Sequence, residues 1–141
     1  RELCDSWQDG RIKMFLLRQA LHHRRSQPAL YLHGDYVPLT AQGRCRFHVC
    51  AFARLHQDQA VVVIVPRFLA SMEVQPEHGP PSGTLWQDTV VTVPSWKPGS
   101  VYRHLFTGEQ FKTTGDGSHQ VLSVGTVLAH CPVAVLIRSG E

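Results

Sequence analysis

Long apolar runs and dense charge are both missing from this 141-residue sequence. Its longest apolar run, AVVVIV at 60–65, is too short for a membrane-spanning helix, which takes ~20 apolar residues. No basic segment followed by an apolar stretch opens the sequence, so we expect no secretory signal. Charged residues make up 18% and the formal net charge is +3, which is small for a nucleic-acid-binding domain. We therefore expect a cytoplasmic protein with neither a membrane nor a nucleic-acid partner.

Cysteine is also scarce, with 4 residues and no Cys-x-x-Cys motif. Cys45 and Cys50 fall in one predicted strand at a spacing that places their side chains on opposite faces. The pattern predicts buried, reduced thiols rather than a disulfide framework, and reduced thiols are typical of the cytoplasm.

Motifs for catalysis and metal binding are lacking as well. The sequence contains no G-x-S-x-G, no H-E-x-x-H and no zinc-finger spacing, although it has 9 His. His22 and His23 are neighbours on a predicted helix, so they diverge by about 100° and do not share one metal. Almost all acids stand beside Gly, Pro or a predicted turn, where solvated carboxylates are common. We predict no catalytic residue, no metal site and no cofactor in this chain.

The first 33 residues read as a basic amphipathic helix that ends near Pro28. Asp5, Ser6 and Asp9 are good N-cap residues, and the cations of HHRR at 22–25 fall in the last turns, where the helix dipole favours them. Apolar residues form a stripe at helical spacing, which predicts a docking face: Ile12, Phe15, Leu16 and Ala20, widened by Leu17 and Leu21. We expect the chain to be a piece of a longer protein.

Residues 34–141 show strand patterns separated by turn signals. RFHVCAFARLH at 46–56 alternates, which predicts one face with Phe47, Val49, Ala51 and Ala53. QAVVVIVPR at 59–67 is apolar throughout, which indicates a strand covered on both faces. TLWQDTVVTVP at 84–94 and PVAVLI at 132–137 predict further strands, with hairpin turns at 54–59 and 107–109 and a loop at 73–83. The fold class is mainly β: a helix followed by an antiparallel β-sandwich.

Two groups of residues could form a binding surface, and each has a plainer interpretation. Trp86, Trp96 and Tyr102 could form a platform that stacks on sugar rings, although aromatic residues more often pack half-buried on a sheet, and we favour that interpretation. Arg18, Arg24 and Arg25 could bind nucleic acid, but the basic cluster is short and lacks interleaved aromatics, so a solvated helix end is favoured.

Six segments in order along the chain resemble the C-terminal part of the maltooligosyltrehalose synthase family, within the α-amylase superfamily. They are DGRIKMFLLRQALHHRRSQPALYLHGDYVPL (9–39), HVCAFAR (48–54), VVVIVPR (61–67), LWQDTVVTVP (85–94), HLFTGE (104–109) and VLAHCPVAVL (127–136). The departures are mild: Tyr31 and Leu32 replace the usual Leu-Phe, and His104 stands where Asn is common.

The resemblance implies an enzyme that converts the reducing-end α-1,4 linkage of a maltooligosaccharide into an α-1,1 linkage. In that family a (β/α)8 barrel carries the catalytic carboxylates, and its motifs have no counterpart here. Residues 1–33 would then pack on the missing barrel, and 34–141 would be the sandwich. Arg11 and Lys13 are expected to approach the substrate groove. The alternative is a stand-alone carbohydrate-binding module that uses Trp86, Trp96 and Tyr102.

Overall fold

The computed structural model describes residues 3, 6–72, 83–94, 99–116 and 118–139, and these form a mainly β fold with an N-terminal helix. The mainly β prediction is confirmed. Among the described residues the helices are α1 (Arg11–Ser26), α2 (Pro28–Leu32) and α3 (Val124–Val127). The strands are β1 (Asp35–Pro38), β2 (Ala41–Gln42), β3 (Val49–His56), β4 (Gln59–Pro66), β5 (Val90–Val93), β6 (Val101–His104), β7 (Gln110–Lys112), β8 (Thr114–Asp116), β9 (His119–Ser123) and β10 (Ala134–Arg138).

The strands form two antiparallel sheets, of order β1-β3-β4-β10-β6-β7 and β2-β5-β9-β8. The extended segment after Gly34 contributes to both sheets, since β1 pairs with β3 and β2 pairs with β5. At the crossing, the Leu39 N–H donates to the Ala51 carbonyl and the Thr92 N–H donates to the Thr40 carbonyl, both at 3.0 Å. This segment therefore ties the two layers together.

The core lies between the sheets and follows the alternation of the strands. Strand β3 buries Val49, Ala51 and Ala53 on the inner face, as its sequence predicts. Strand β4 is covered on both faces, again as predicted. Val62 and Ile64 belong to the core, and Val61, on the opposite face, is also fully buried.

Two local predictions are wrong. Phe47 does not continue the inner face of β3, because a 3-10 turn at Arg46–His48 precedes the strand and leaves its side chain 62% exposed. The segment from Leu85 to Asp88 is not a strand either. Its first residues belong to a 3-10 turn, Gly83–Trp86. The backbone of this turn packs closely on Gly125 of α3, since a Cβ on Gly83 would lie 2.8 Å from the Gly125 carbonyl oxygen. This turn inserts the Trp86 side chain into the core.

The β6–β7 hairpin turns at Thr107–Glu109, as the sequence predicts, and buried His104 organises its start. The His104 Nδ1 accepts a hydrogen bond from the Phe106 N–H at 3.1 Å. An asparagine side chain can accept the same bond from the amide two residues ahead. Burial lowers the pKa of His104 to about 4, against the opposing charge of Glu109.

The first prediction concerns the pH dependence of stability. The folded pKa of His104 lies below its ordinary value of 6.5, so the unfolded chain takes up a proton that the folded chain does not. As pH falls from 6.5 to about 4, this difference lowers the free energy of unfolding by roughly 3 kcal/mol. His104→Asn keeps the turn bond and removes the titration. Urea unfolding at pH 7.5 and at pH 4 should show a smaller loss for the variant, and equal losses would contradict the assignment.

The second prediction concerns Tyr102, whose side chain is fully buried and whose hydroxyl has no hydrogen-bond partner among the described residues. Burial raises the pKa of Tyr102 to about 12. Since removing an unpaired polar group relieves its desolvation, Tyr102→Phe should leave the free energy of unfolding unchanged or raise it by about 1 kcal/mol. Thr113→Val is the matched control, because the buried Thr113 hydroxyl donates to Gln120 Oε1 at 2.7 Å and its loss should cost about 1–3 kcal/mol. A destabilised Tyr102→Phe would show that its hydroxyl is paired in solution.

Candidate functional site

Helix α1 begins beside Asp9, whose carboxylate accepts hydrogen bonds from the Arg11 backbone N–H at 2.9 Å and from Arg11 Nε at 2.6 Å. These bonds lower the pKa of Asp9, the backbone bond most. Arg11 and Lys13 are both exposed in the first turn. Their predicted approach to a substrate groove stays a prediction, and for Arg11 it would require a guanidinium already held by Asp9.

The second half of α1 lies against the outer face of the six-stranded sheet. A cleft of about 340 Å³ separates them, with a mostly apolar lining that includes two guanidinium groups: Ala20, Leu21, Arg24, Tyr31, Phe52, Arg54, Val61, Val63 and Val135. His23 Nδ1 and the Tyr31 hydroxyl are 2.9 Å apart, which joins α1 to α2. Burial lowers the pKa of His23. The C-terminal turns of α1 are thus fixed to the β domain.

Gly34, between α2 and β1, makes this arrangement possible. A Cβ at this position would lie 2.2 Å from the Leu30 carbonyl oxygen and 2.9 Å from that of Leu55. The Gly34 carbonyl accepts a hydrogen bond from Arg54 at 2.9 Å. The Gly of the GDY motif therefore serves the close packing of helix on strand rather than ligand binding.

One side of α1 is apolar and largely exposed, and it borders the cleft at Leu21. Met14, Leu17 and Leu21 are 72%, 50% and 60% exposed and share one helix face by their spacing. The stripe predicted from the sequence, Ile12, Phe15, Leu16 and Ala20, is only partly buried. Of the three most exposed apolar side chains of the helix, Leu17 and Leu21 belong to the widened part of the predicted stripe, whereas Met14 does not.

The sugar platform predicted from Trp86, Trp96 and Tyr102 is corrected for two of its members. Trp86 and Tyr102 are 0% exposed inside the core, so neither ring offers a face at the surface. Trp96 lies outside the described residues. Trp86 and Tyr102 instead pack within the sandwich, as the favoured alternative predicts, although they are fully rather than half buried.

Two exposed phenylalanines near the start of β3 and the end of β4 were missed as a surface feature. Phe47 is 62% and Phe68 is 66% exposed, and a guanidinium covers each ring: Arg46 at 4.3 Å and Arg67 at 4.9 Å from the ring centres. Arg67 Nε also donates to the Phe47 carbonyl at 2.9 Å. We call Arg46, Phe47, Arg67 and Phe68 the Arg–Phe patch. The alternation in RFHVCAF concealed it, because that pattern places Phe47 inside.

Three of the described acidic side chains bind backbone N–H groups or a histidine ring. Asp88 accepts from the Arg44 N–H at 2.9 Å, Asp116 accepts from the His119 N–H at 3.1 Å, and Glu109 meets His130 Nδ1 at 2.8 Å. Burial, the largest single effect, raises the pKa of Glu109. Hydrogen bonds from Thr107 and His130 together outweigh it, so the pKa is lowered. Within the described ranges no three His, Cys, Asp or Glu residues cluster as metal ligands, and no helix there is long and apolar enough to cross a membrane.

No family model and no curated protein sequence matches the chain. Some solved structures are similar to it over most of its length. A mutant of maltooligosyltrehalose synthase from Arthrobacter ramosus matches over 91% of this chain and 14% of its own, at 25% identity and a TM-score of 0.65. A noncanonic maltogenic α-amylase from Thermotoga neapolitana matches over 88% of this chain and 25% of its own, at 12% identity and a TM-score of 0.56, which shows the fold alone.

This chain therefore spans about one seventh of the synthase it matches, and most of that enzyme has no counterpart here. The resemblance predicted from the sequence motifs is confirmed: the chain has the fold of the C-terminal β domain of an α-amylase-superfamily enzyme, similar to a region of maltooligosyltrehalose synthase.

Proposed function

We propose that this chain is the C-terminal domain of a maltooligosyltrehalose synthase and that it supplies structure rather than catalytic groups. The observation that carries the proposal is the ordered set of six motifs from Asp9 to Leu136, supported by a structural match to such a synthase over 91% of the chain. The maltogenic α-amylase supports the wider superfamily only.

The proposed parent reaction moves a glycosidic bond within one molecule. The bond from C1 of the penultimate glucose to O4 of the reducing-end glucose breaks, and a bond from the same C1 to the anomeric oxygen of that end glucose forms. No water is consumed overall. Such chemistry at a glycosidic carbon requires two facing carboxyl groups, one as nucleophile and one as acid and base. Of the described acids, Asp35 and Asp116 are exposed in the edge strands β1 and β8, and the others lie in turns, loops or before a helix, so the pair would belong to the missing barrel.

Helix α1 would join the domain to that barrel. Its second half lies against the six-stranded sheet, and His23 meets Tyr31 of α2, whereas Met14, Leu17 and Leu21 are largely exposed. Burying large apolar side chains contributes roughly 1.5–3 kcal/mol each. We propose that these three residues, together with the partly buried Ile12, Phe15 and Leu16, form the barrel contact.

A free-standing carbohydrate-binding module is the second candidate, and the exposed Arg–Phe patch is the feature that favours it. The DNA upstream of the Arg1 codon separates the two candidates. A continuous reading frame that encodes a barrel supports the synthase domain, and a nearby start codon supports the module.

The third prediction concerns activity. The protein encoded by the complete reading frame should convert maltohexaose into a product with a trehalose end, and reducing ends should disappear without release of glucose as the main product. The 141-residue chain alone should do neither. Colorimetric assay of reducing ends and chromatography of the product check both statements. Formation of trehalose ends by the isolated chain would contradict the non-catalytic role, and plain hydrolysis by the complete protein would contradict the synthase assignment.

The fourth prediction tests the helix contact. Leu17→Glu should change the free energy of unfolding of the isolated chain by less than about 0.5 kcal/mol, because half of the side chain is already in solvent. In the complete protein the same change would place a charge in the contact, so the melting temperature and the yield of soluble enzyme should fall. His22→Glu, exposed on another side of α1, is the control and should affect neither protein. Equal behaviour of the two variants in the complete protein would remove α1 as the contact.

A further inference from the structure

The Arg–Phe patch is unusual because the fold gains little from it. Phe47 and Phe68 keep most of their surface in water. Phe68 also has a φ of 54°, in the left-handed region that bulky residues rarely adopt. A backbone of this kind is strained, and such outliers are concentrated at functional sites.

The arginines fix the geometry of the patch. The Arg67 N–H donates to the His48 carbonyl at 2.8 Å, and its Nε donates to the Phe47 carbonyl at 2.9 Å, so the bonding of the β3–β4 hairpin continues beyond its last strand pair. The same guanidinium lies 4.9 Å from the Phe68 ring centre. One side chain therefore touches both phenylalanines. Arg46 is held in a similar way, since it donates to the Gly43 carbonyl at 3.3 Å and covers Phe47.

The chemistry of the patch suits a neutral chain of sugars. Exposed ring faces pack against the apolar C–H face of a glucose unit, and guanidinium N–H groups that carbonyls do not use donate to hydroxyl oxygens. Neither arginine forms an ion pair with a carboxylate within the described part of the chain. Their charge would also suit an acidic polymer, and in a nucleic acid the rings could stack on bases. The small net charge of +3 argues against a nucleic acid, and a sulfated polysaccharide offers no base for a ring to stack on. The exposed rings therefore favour the neutral sugar chain.

We propose that the Arg–Phe patch is an auxiliary binding site for α-1,4-linked glucan. It would hold a second part of a long substrate, or a second chain, while the reaction occurs elsewhere. The choice of α-1,4-glucan as the ligand rests on the proposed function, whereas the location of the site rests on the geometry alone.

The test is a titration of the 141-residue chain with maltoheptaose, followed by chemical-shift changes or calorimetry at two salt concentrations. We expect saturable binding that differs little between 50 mM and 500 mM NaCl. Phe47→Ala and Phe68→Gly should each weaken it about fivefold or more, the loss that follows removal of an important contact residue. Phe68→Gly is informative because glycine accepts a positive φ without strain, so the melting temperature should not fall while binding does.

Met14→Ala is the control, since Met14 is an exposed apolar side chain on α1, away from the patch in the sequence. This variant should bind maltoheptaose as the unsubstituted chain does. Equal binding by all variants would place the sugar elsewhere and overturn the proposal. No binding at millimolar maltoheptaose would overturn it as well. Binding to heparin instead, lost at high salt, would identify the patch as a polyanion site and also overturn it.

Failure of this proposal and failure of the proposed function are distinguishable. If the complete protein forms trehalose ends while its patch variants bind maltoheptaose normally, the synthase assignment stands and the auxiliary site does not. If the patch binds maltoheptaose while the complete protein forms no trehalose ends, the site stands without the reaction.

Discussion

Coverage of strand β4 on both faces is the constraint on which the rest of the structure depends. Val62 and Ile64 fill the space between the sheets, while Val61 is sealed on the other side beneath the helical segment. A strand in the middle of a six-stranded sheet satisfies its backbone through both neighbours, here β3 and β10. A one-residue slip of β4 would exchange these two apolar sets, yet it would also misalign every pair with β3 and β10. The hairpin is therefore a rigid base for the elements attached to its ends.

Much of this could be predicted from the sequence, because burial imposes a period on strands. The alternation of Val49, Ala51 and Ala53 and the unbroken run at 60–65 give the two kinds of strand correctly. The turn predicted at 54–59 is shorter in the structure, because β3 runs to His56 and β4 begins at Gln59. The turn at 107–109 is as predicted and follows from a glycine-containing segment between strands. Each of these signals comes from residues that are close together in the chain, so it can be recognised in one sequence without the structure.

What could not be predicted depends on contacts between distant residues. Trp86 enters the core from a turn whose shape is set by close packing of Gly83 against Gly125. Phe47 leaves the alternation because the chain turns at Arg46–His48 before β3 starts. In both cases hydrophobicity identifies an aromatic residue but does not decide whether its ring faces the core or the solvent. The sequence therefore assigns the sugar platform to rings that are buried, and it gives no sign of the exposed Arg–Phe patch.

The same limitation applies to the helix. An apolar stripe predicts that a helix has a partner, but α1 has apolar residues on two sides and the sequence alone does not assign them. The structure shows that Ala20 and Leu21 line the cleft against the sheet, while Met14, Leu17 and most of Leu21 stay exposed for another surface. Glycine is similarly ambiguous, since Gly34 in a shared motif proves to be required by the Leu30 and Leu55 carbonyls.

The C-terminal end of α1 and the Arg–Phe patch lie at opposite ends of one hairpin. Near the β3–β4 turn, Gln59 donates to Gln27 at the end of α1, at 2.9 Å. At the other end, Arg67 joins Phe47 and Phe68. Eight residues of β4 separate these ends, which corresponds to roughly 25 Å in an extended strand. Because β4 is held on both faces, this separation is fixed. A barrel docked on α1 would then stand at a constant position relative to the patch, so a glucan held there would reach the barrel by its own length rather than by movement of the domain.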